Sequence, residues 1–125
     1  MDRYVTALGA ILISAAVALG AVGAHAVGAE DPFARQLWQT ANLWHAISAV
    51  GLFATGLGWS RLSPFWRGIG AWVVGLGVVL FSGSIYLQAL TESAPFPGSA
   101  PLGGSALILG WLVIAGAAIR SARHP

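Results

Sequence analysis

Apolar residues fill the chain in four long blocks, and the polar residues inside them fall into helical register. The first block, residues 4–24, has about the 20 residues a helix needs to cross a bilayer core. Small side chains recur in it every fourth position, as Ala10/Ser14/Ala18 and Ala16/Gly20/Ala24, faces that let a neighbouring backbone approach closely. Arg3, the apolar run and Ala24-His25-Ala26 also fit a cleaved signal peptide; we read the segment as a retained span.

Asp31 followed by Pro32 has the form of an N-cap and first helical residue. The pattern predicts an interfacial helical start over 32–40 that continues as a second span over 41–59, with Trp38 and Trp44 in an aromatic belt. Asn42, His45 and Ser48 repeat at i,i+3 and form one polar stripe. A basic turn, 59–67, with Trp at both ends and Pro64 inside it, separates this helix from a third span over 68–90. Gly68, Gly70, Gly75 and Gly77 suit close packing between helices in lipid. The outer part of this span carries Phe81-Ser82-Gly83-Ser84-Ile85-Tyr86-Leu87-Gln88, four hydrogen-bonding side chains that hydrocarbon cannot satisfy. Three prolines and a glycine over 93–101 predict a loop without helix, and 102–119 is the fourth span, closed by Arg120 and Arg123.

Composition agrees with this pattern. Of 125 residues, 57% are hydrophobic and 8% charged, with a mean hydropathy of +0.77, where soluble domains carry about 25% charged residues. The length and the absence of a linker or repeat imply one domain, 1–125. The chain has no Cys, which excludes disulfides, thiolate metal sites and Cys nucleophiles. Its pI of about 10.0 reflects a few arginines in a charge-poor chain, and no basic face exists for nucleic acid. With four spans, Arg3, Arg61, Arg67, Arg120 and Arg123 share one side, against Arg35 with Glu30, Asp31 and Glu92 on the other. The positive-inside rule then puts both termini in the cytoplasm of a multi-pass inner-membrane protein. The expected fold is an all-α, compact four-helix transmembrane bundle.

The same topology gives the polar residues depths. His45 lies about 7 Å inside the outer start of the second span, at 1.5 Å per residue. His25, Ser82, Ser84, Tyr86 and the Pro101-Leu102-Gly103-Gly104 turn belong to the same outer half, with Asn42 beside them. Two readings of this cluster stand. In the first, it is structural: serines bond to carbonyls of their own helix, Tyr86 anchors at the interface and His45 donates to a neighbouring helix. In the second, His45, with His25, ligates a metal, a haem or a quinone headgroup in a pocket lined by Ser82 and Tyr86. Two histidines are few for a metal, and the only acids nearby are the loop residues Glu30, Asp31 and Glu92. No cofactor is predicted. Serine hydrolysis lacks a buried carboxylate and a G-x-S-x-G elbow, and Gly75-Leu76-Gly77 lies in a hydrophobic helix and not in a phosphate loop. No charged ring lines a monomeric pore, and an oligomeric transporter would need a polar path that the inner halves of the spans do not supply.

Gly20-Ala21-Val22-Gly23-Ala24-His25-Ala26, Trp44-His45-Ala46, Phe81-Ser82-Gly83-Ser84-Ile85-Tyr86, and Pro101-Leu102-Gly103-Gly104 with Gly110-Trp111 together span nearly the whole chain. In this combination the chain resembles the YgdD-like family of small integral membrane proteins, a domain-of-unknown-function family of bacterial inner membranes and of mitochondria. It departs from the family's pattern at Ala100, where a Thr is usual, and at Gln88, where an apolar residue is usual. The resemblance implies four spans and a membrane location, and no particular reaction. The expected role is structural or accessory: a non-enzymatic subunit in the lipid bilayer that packs against a larger membrane complex or another copy of itself. The alternative is a binding protein for a small apolar or redox ligand.

Overall fold

The computed structural model describes residues 1–121, so Arg123, counted above among the cytoplasmic arginines, lies outside the described residues. Four α-helices follow in order: α1 (Arg3–Ala26), α2 (Pro32–Leu57), α3 (Pro64–Thr91) and α4 (Ser99–Ser121), with one 3-10 turn at Trp59–Arg61 between α2 and α3. The described residues form no strand. The helix starts are set by local chemistry. Asp2 Oδ1 accepts from the Tyr4 and Val5 amides at 3.0 and 2.9 Å, and Asp31 Oδ1 accepts from those of Phe33 and Ala34 at 3.0 and 3.3 Å, ahead of Pro32. Pro64 does not merely separate two helices: it is the first residue of α3, a position where its missing N–H leaves nothing unpaired. For the same reason Pro101 sits inside the first turn of α4. The segment 93–101, expected to hold no helix, therefore contributes Ser99, Ala100 and Pro101 to one.

Each helix packs extensively on the next in sequence: α1 on α2, α2 on α3, α3 on α4. This leaves α2 and α3 central, flanked by α1 and α4. The buried layer around Leu52, Ala71, Val74, Val78 and Leu107 joins α2, α3 and α4, and Val5 and Leu12 of α1 close over it. Small residues make these approaches possible. A Cβ added at Gly9 would stand 2.4 Å from the Phe53 amide nitrogen, and one at Gly103 would stand 2.3 Å from that of Phe81. The helices therefore touch backbone to backbone.

Three helices, α1, α3 and α4, are long and apolar enough to cross a membrane. α2 falls short on composition because it holds the interior polar residues, yet its outward face, Leu43, Trp44, Ile47 and Val50, is exposed and as apolar as those beside it. At the end that holds the N-terminus, arginines lie over aromatic rings: Arg67 over Trp59 at 4.9 Å and Arg120 over Trp66 at 5.3 Å. Such amphipathic pairs suit the boundary between lipid and water.

Candidate functional site

The sequence stripe on α2 points inward. His45 is buried, and so are Ser82, Ser84 and Tyr86 on α3. Asn42 Nδ2 donates to the Ala16 carbonyl of α1 at 2.8 Å and to the Tyr86 hydroxyl at 3.1 Å. The Ala16 carbonyl can only accept, which fixes the amide orientation of Asn42. The Tyr86 hydroxyl lies 3.0 Å from His45 Nδ1. The hydroxyl proton has no other acceptor among the hydrogen bonds of the cluster, so we assign it to Nδ1, which puts the proton of the neutral imidazole on Nε2. That nitrogen is buried without a hydrogen-bond partner; the Leu12 backbone of α1 lies near the ring. The result is a directed chain, Asn42 to Tyr86 to His45, tying three helices together. Ser82 makes a second tie between α3 and α2, donating to the Ala41 carbonyl at 2.9 Å.

Ser84 behaves differently: its hydroxyl bonds back to Leu80 of its own helix. His25 is exposed at the end of α1 and makes no hydrogen bond to the cluster. It does not join His45. The Pro101 to Gly104 segment, part of α4, packs on the cluster without a hydrogen bond to it, with Ala100 against the Trp38–Tyr86 layer and Gly103 on the Phe81 backbone. Among the described residues no three His, Asp or Glu side chains converge as a metal-binding group. His45 Nε2 is the one ring nitrogen of the cluster without a hydrogen-bond partner, and with its proton in place it can donate but not coordinate.

Trp38 is the residue that sequence reasoning placed wrongly. It lies in the core and not in an interfacial belt: it is 4% exposed, its Nε1 donates to the Leu19 carbonyl at 2.7 Å, and its ring meets that of Tyr86 at 4.6 Å. Its spacing carried the signal, since Trp38 lies four residues before Asn42 and seven before His45, on the same helix face. The acceptors on α1 are backbone carbonyls and leave no side-chain signature. What marks them is the small-residue face opposite: Gly20 leaves room for Asn42 and Gly23 for Trp38, where a Cβ would stand 3.1 and 2.3 Å from those side chains. A separate apolar groove of about 630 Å³ lies between α2 and α4, lined by Trp44, Ser48, Gly51, Phe81, Leu107 and Trp111 among others.

The family model for "Protein of unknown function (DUF423)" matches residues 19–104, the stretch from the Leu19 carbonyl to the glycine pair that opens α4. The chain belongs to this family. Its relatives include the UPF0382 membrane protein YwdK of Bacillus subtilis, 39% identical over 119 residues, covering 90% of this chain and 94% of YwdK. A UPF0382 membrane protein of Staphylococcus epidermidis is 36% identical over 120 residues, covering 92% of this chain and 94% of that protein. The UPF0382 inner membrane protein YgdD of Escherichia coli is 30% identical over 123 residues, covering 98% of this chain and 94% of YgdD. No solved structure matches the chain significantly. This DUF423 protein is thus a helical membrane protein, and the motifs that carry the family resemblance hold His45 and Tyr86 of the polar chain, Ser82 of the second tie, and the close α3–α4 approach at Gly103.

Proposed function

We propose that this protein is a non-enzymatic structural or accessory subunit of the inner membrane, which docks through α1 onto a larger membrane complex or onto another copy of itself. The observation that carries this reading is the division of α1 into two small-residue faces. Ala16 and Gly20 are taken up by α2, whereas Ala10, Ser14 and Ala18 all face outward. An outward small-xxx-small row in lipid is a surface on which another helix can pack closely, with the Ser14 hydroxyl available to bond across. The internal polar chain supports the same reading, because its side chains are engaged with one another and hold the bundle in register.

The row can be altered without touching the core. Gentle extraction should hold the wild type in a species larger than the monomer, and Ala18→Leu or Ser14→Leu should release it while the helical content is retained. A wild-type protein that runs as a lone monomer overturns the reading. The chain has no Cys, so Ser14→Cys also reports on the partner: a disulfide-linked pair on mild oxidation identifies a second copy.

Four spans with both termini cytoplasmic make a further prediction. Single cysteines at Ser60 and Ser93, both exposed, should be labelled from opposite sides by an impermeant maleimide, Ser60→Cys only after the membrane is opened and Ser93→Cys in intact cells. Labelling of both from one side would mean that α3 does not cross.

A further inference from the structure

We infer that the seam between α1 and α2 is a binding site for one glycerophospholipid, with its phosphodiester at Arg35 and an acyl chain running down toward the bilayer midplane. Two adjoining cavities form the seam. The outer one, about 310 Å³, has Arg35 and Gln39 at its mouth and Gly23 and Ala24 along its wall. The inner one, about 210 Å³, is lined by Ile13, Val17, Ala46 and Val50. They meet at Gly20 and Asn42, which line both. The seam is therefore polar and cationic at one end and apolar at the other, the distribution of an amphiphile.

Its length selects the occupant. From Arg35 to Val50 the helical rise is about 22 Å, and one leaflet with its headgroups is about 20–22 Å thick. A free anion would use only the mouth, and a detached hydrocarbon chain would leave Arg35 unused. The Arg35 guanidinium can present two parallel donors to a phosphate. Among the described residues it is the one arginine at its end of the bundle, close to the loop 27–31, where Gly28 adopts φ +73 and packs its backbone against Arg35. That loop also holds Glu30 and Asp31, two carboxylates close to Arg35 along the chain although neither lines the seam, Asp31 capping α2 and facing the α3 side. A net-anionic headgroup would lose to these carboxylates what it gains at Arg35. A zwitterionic headgroup with a primary amine can place phosphate and ammonium against opposite charges, which favours phosphatidylethanolamine.

Native mass spectrometry of the full chain in neutral detergent tests this, with matched acyl chains throughout. One phosphatidylethanolamine should be retained, in preference to phosphatidylglycerol, while diacylglycerol, which lacks the phosphate, should be lost. Arg35→Gln should weaken retention about fivefold, the factor expected when one basic side chain at the membrane surface is removed. Ala24→Leu, at an exposed position, should narrow the outer cavity and reduce retention without unfolding the protein. Arg61→Gln, at the opposite end of the bundle, should change nothing. Equal retention of diacylglycerol, a preference for phosphatidylglycerol, or an equal effect of Arg35→Gln and Arg61→Gln would overturn the assignment. None of these outcomes depends on whether α1 docks a partner.

Discussion

Gly103→Ala should destabilise the bundle by about 2 kcal/mol, whereas Gly116→Ala on the same helix should leave stability unchanged or raise it. Both substitutions replace glycine inside α4, and in a helix interior alanine is favoured by up to about 1 kcal/mol. What separates them is the space. At Gly116 nothing lies within 4 Å of an added Cβ, so only the propensity gain remains. At Gly103 the same methyl would stand 2.3 Å from the Phe81 nitrogen, 2.7 Å from its Cα and 2.8 Å from the Leu80 carbonyl carbon. These are backbone atoms of another helix and cannot rotate aside. The two helices must separate, and overpacking of this kind costs about 1–3 kcal/mol even where side chains can adjust. The upper part of that range outweighs the propensity gain. Unfolding in mixed detergent micelles, with far-UV circular dichroism as the signal, measures both variants. Equal effects at the two positions would mean that the α3–α4 crossing at Phe81 is looser than described.

The contrast also marks what the sequence makes legible. All four helices are visible in the apolar blocks, and the start of α2 in Asp31 and Pro32, because capping is local chemistry that does not depend on the tertiary fold, whereas the apolar blocks place the starts of α3, at Pro64, and of α4, at Ser99, several residues late. Which glycines are critical is not visible. Gly103 and Gly116 are equally plausible packing residues on paper, and only the path of α3 past α4 distinguishes them. The candidate site divides in the same way. The α2 stripe and the α3 polar run single out Asn42, His45, Ser82 and Tyr86 because lipid excludes such side chains, and in the structure these four make hydrogen bonds between helices. Their partners include carbonyls of α1, which every residue possesses, so the sequence could not place Ala16 or Leu19 in the network. His25 was grouped with His45 by depth alone, and depth says nothing about which way a side chain turns. Trp38 was assigned to the interface because tryptophan is common there. The room left by Gly23 and the Leu19 carbonyl opposite let its indole enter the core with its N–H paired.

Tyr86→Phe should cost about 1–3 kcal/mol and should release the ring proton of His45 from Nε2. The phenyl ring keeps its contact with Trp38, so the loss isolates one hydroxyl. That hydroxyl serves two bonds, from Asn42 at 3.1 Å and to His45 Nδ1 at 3.0 Å. Side-chain hydrogen bonds between membrane helices average about 0.6 kcal/mol with a maximum near 1.7, so two of them account for about 1–3 kcal/mol. Asn42 retains the Ala16 carbonyl, but His45 is left buried with neither ring nitrogen engaged. Ser84→Ala is the control, since its hydroxyl bonds only within α3, and it should stay within about 0.5 kcal/mol of wild type. A double-mutant cycle with Asn42→Ala then apportions the chain: the pair should cost less than the sum, because each substitution breaks the bond they share. The imidazole supplies a second, independent readout. In the wild type, 15N shifts of His45 should show the proton on Nε2, because Nδ1 accepts from Tyr86, and in Tyr86→Phe both tautomers should be populated. If instead Tyr86→Phe leaves stability at the level of Ser84→Ala while the His45 shifts change, the hydroxyl positions the imidazole without holding the helices. The cluster would then have to be regarded as a ligand site, with His45 Nε2 as the group that reaches the ligand.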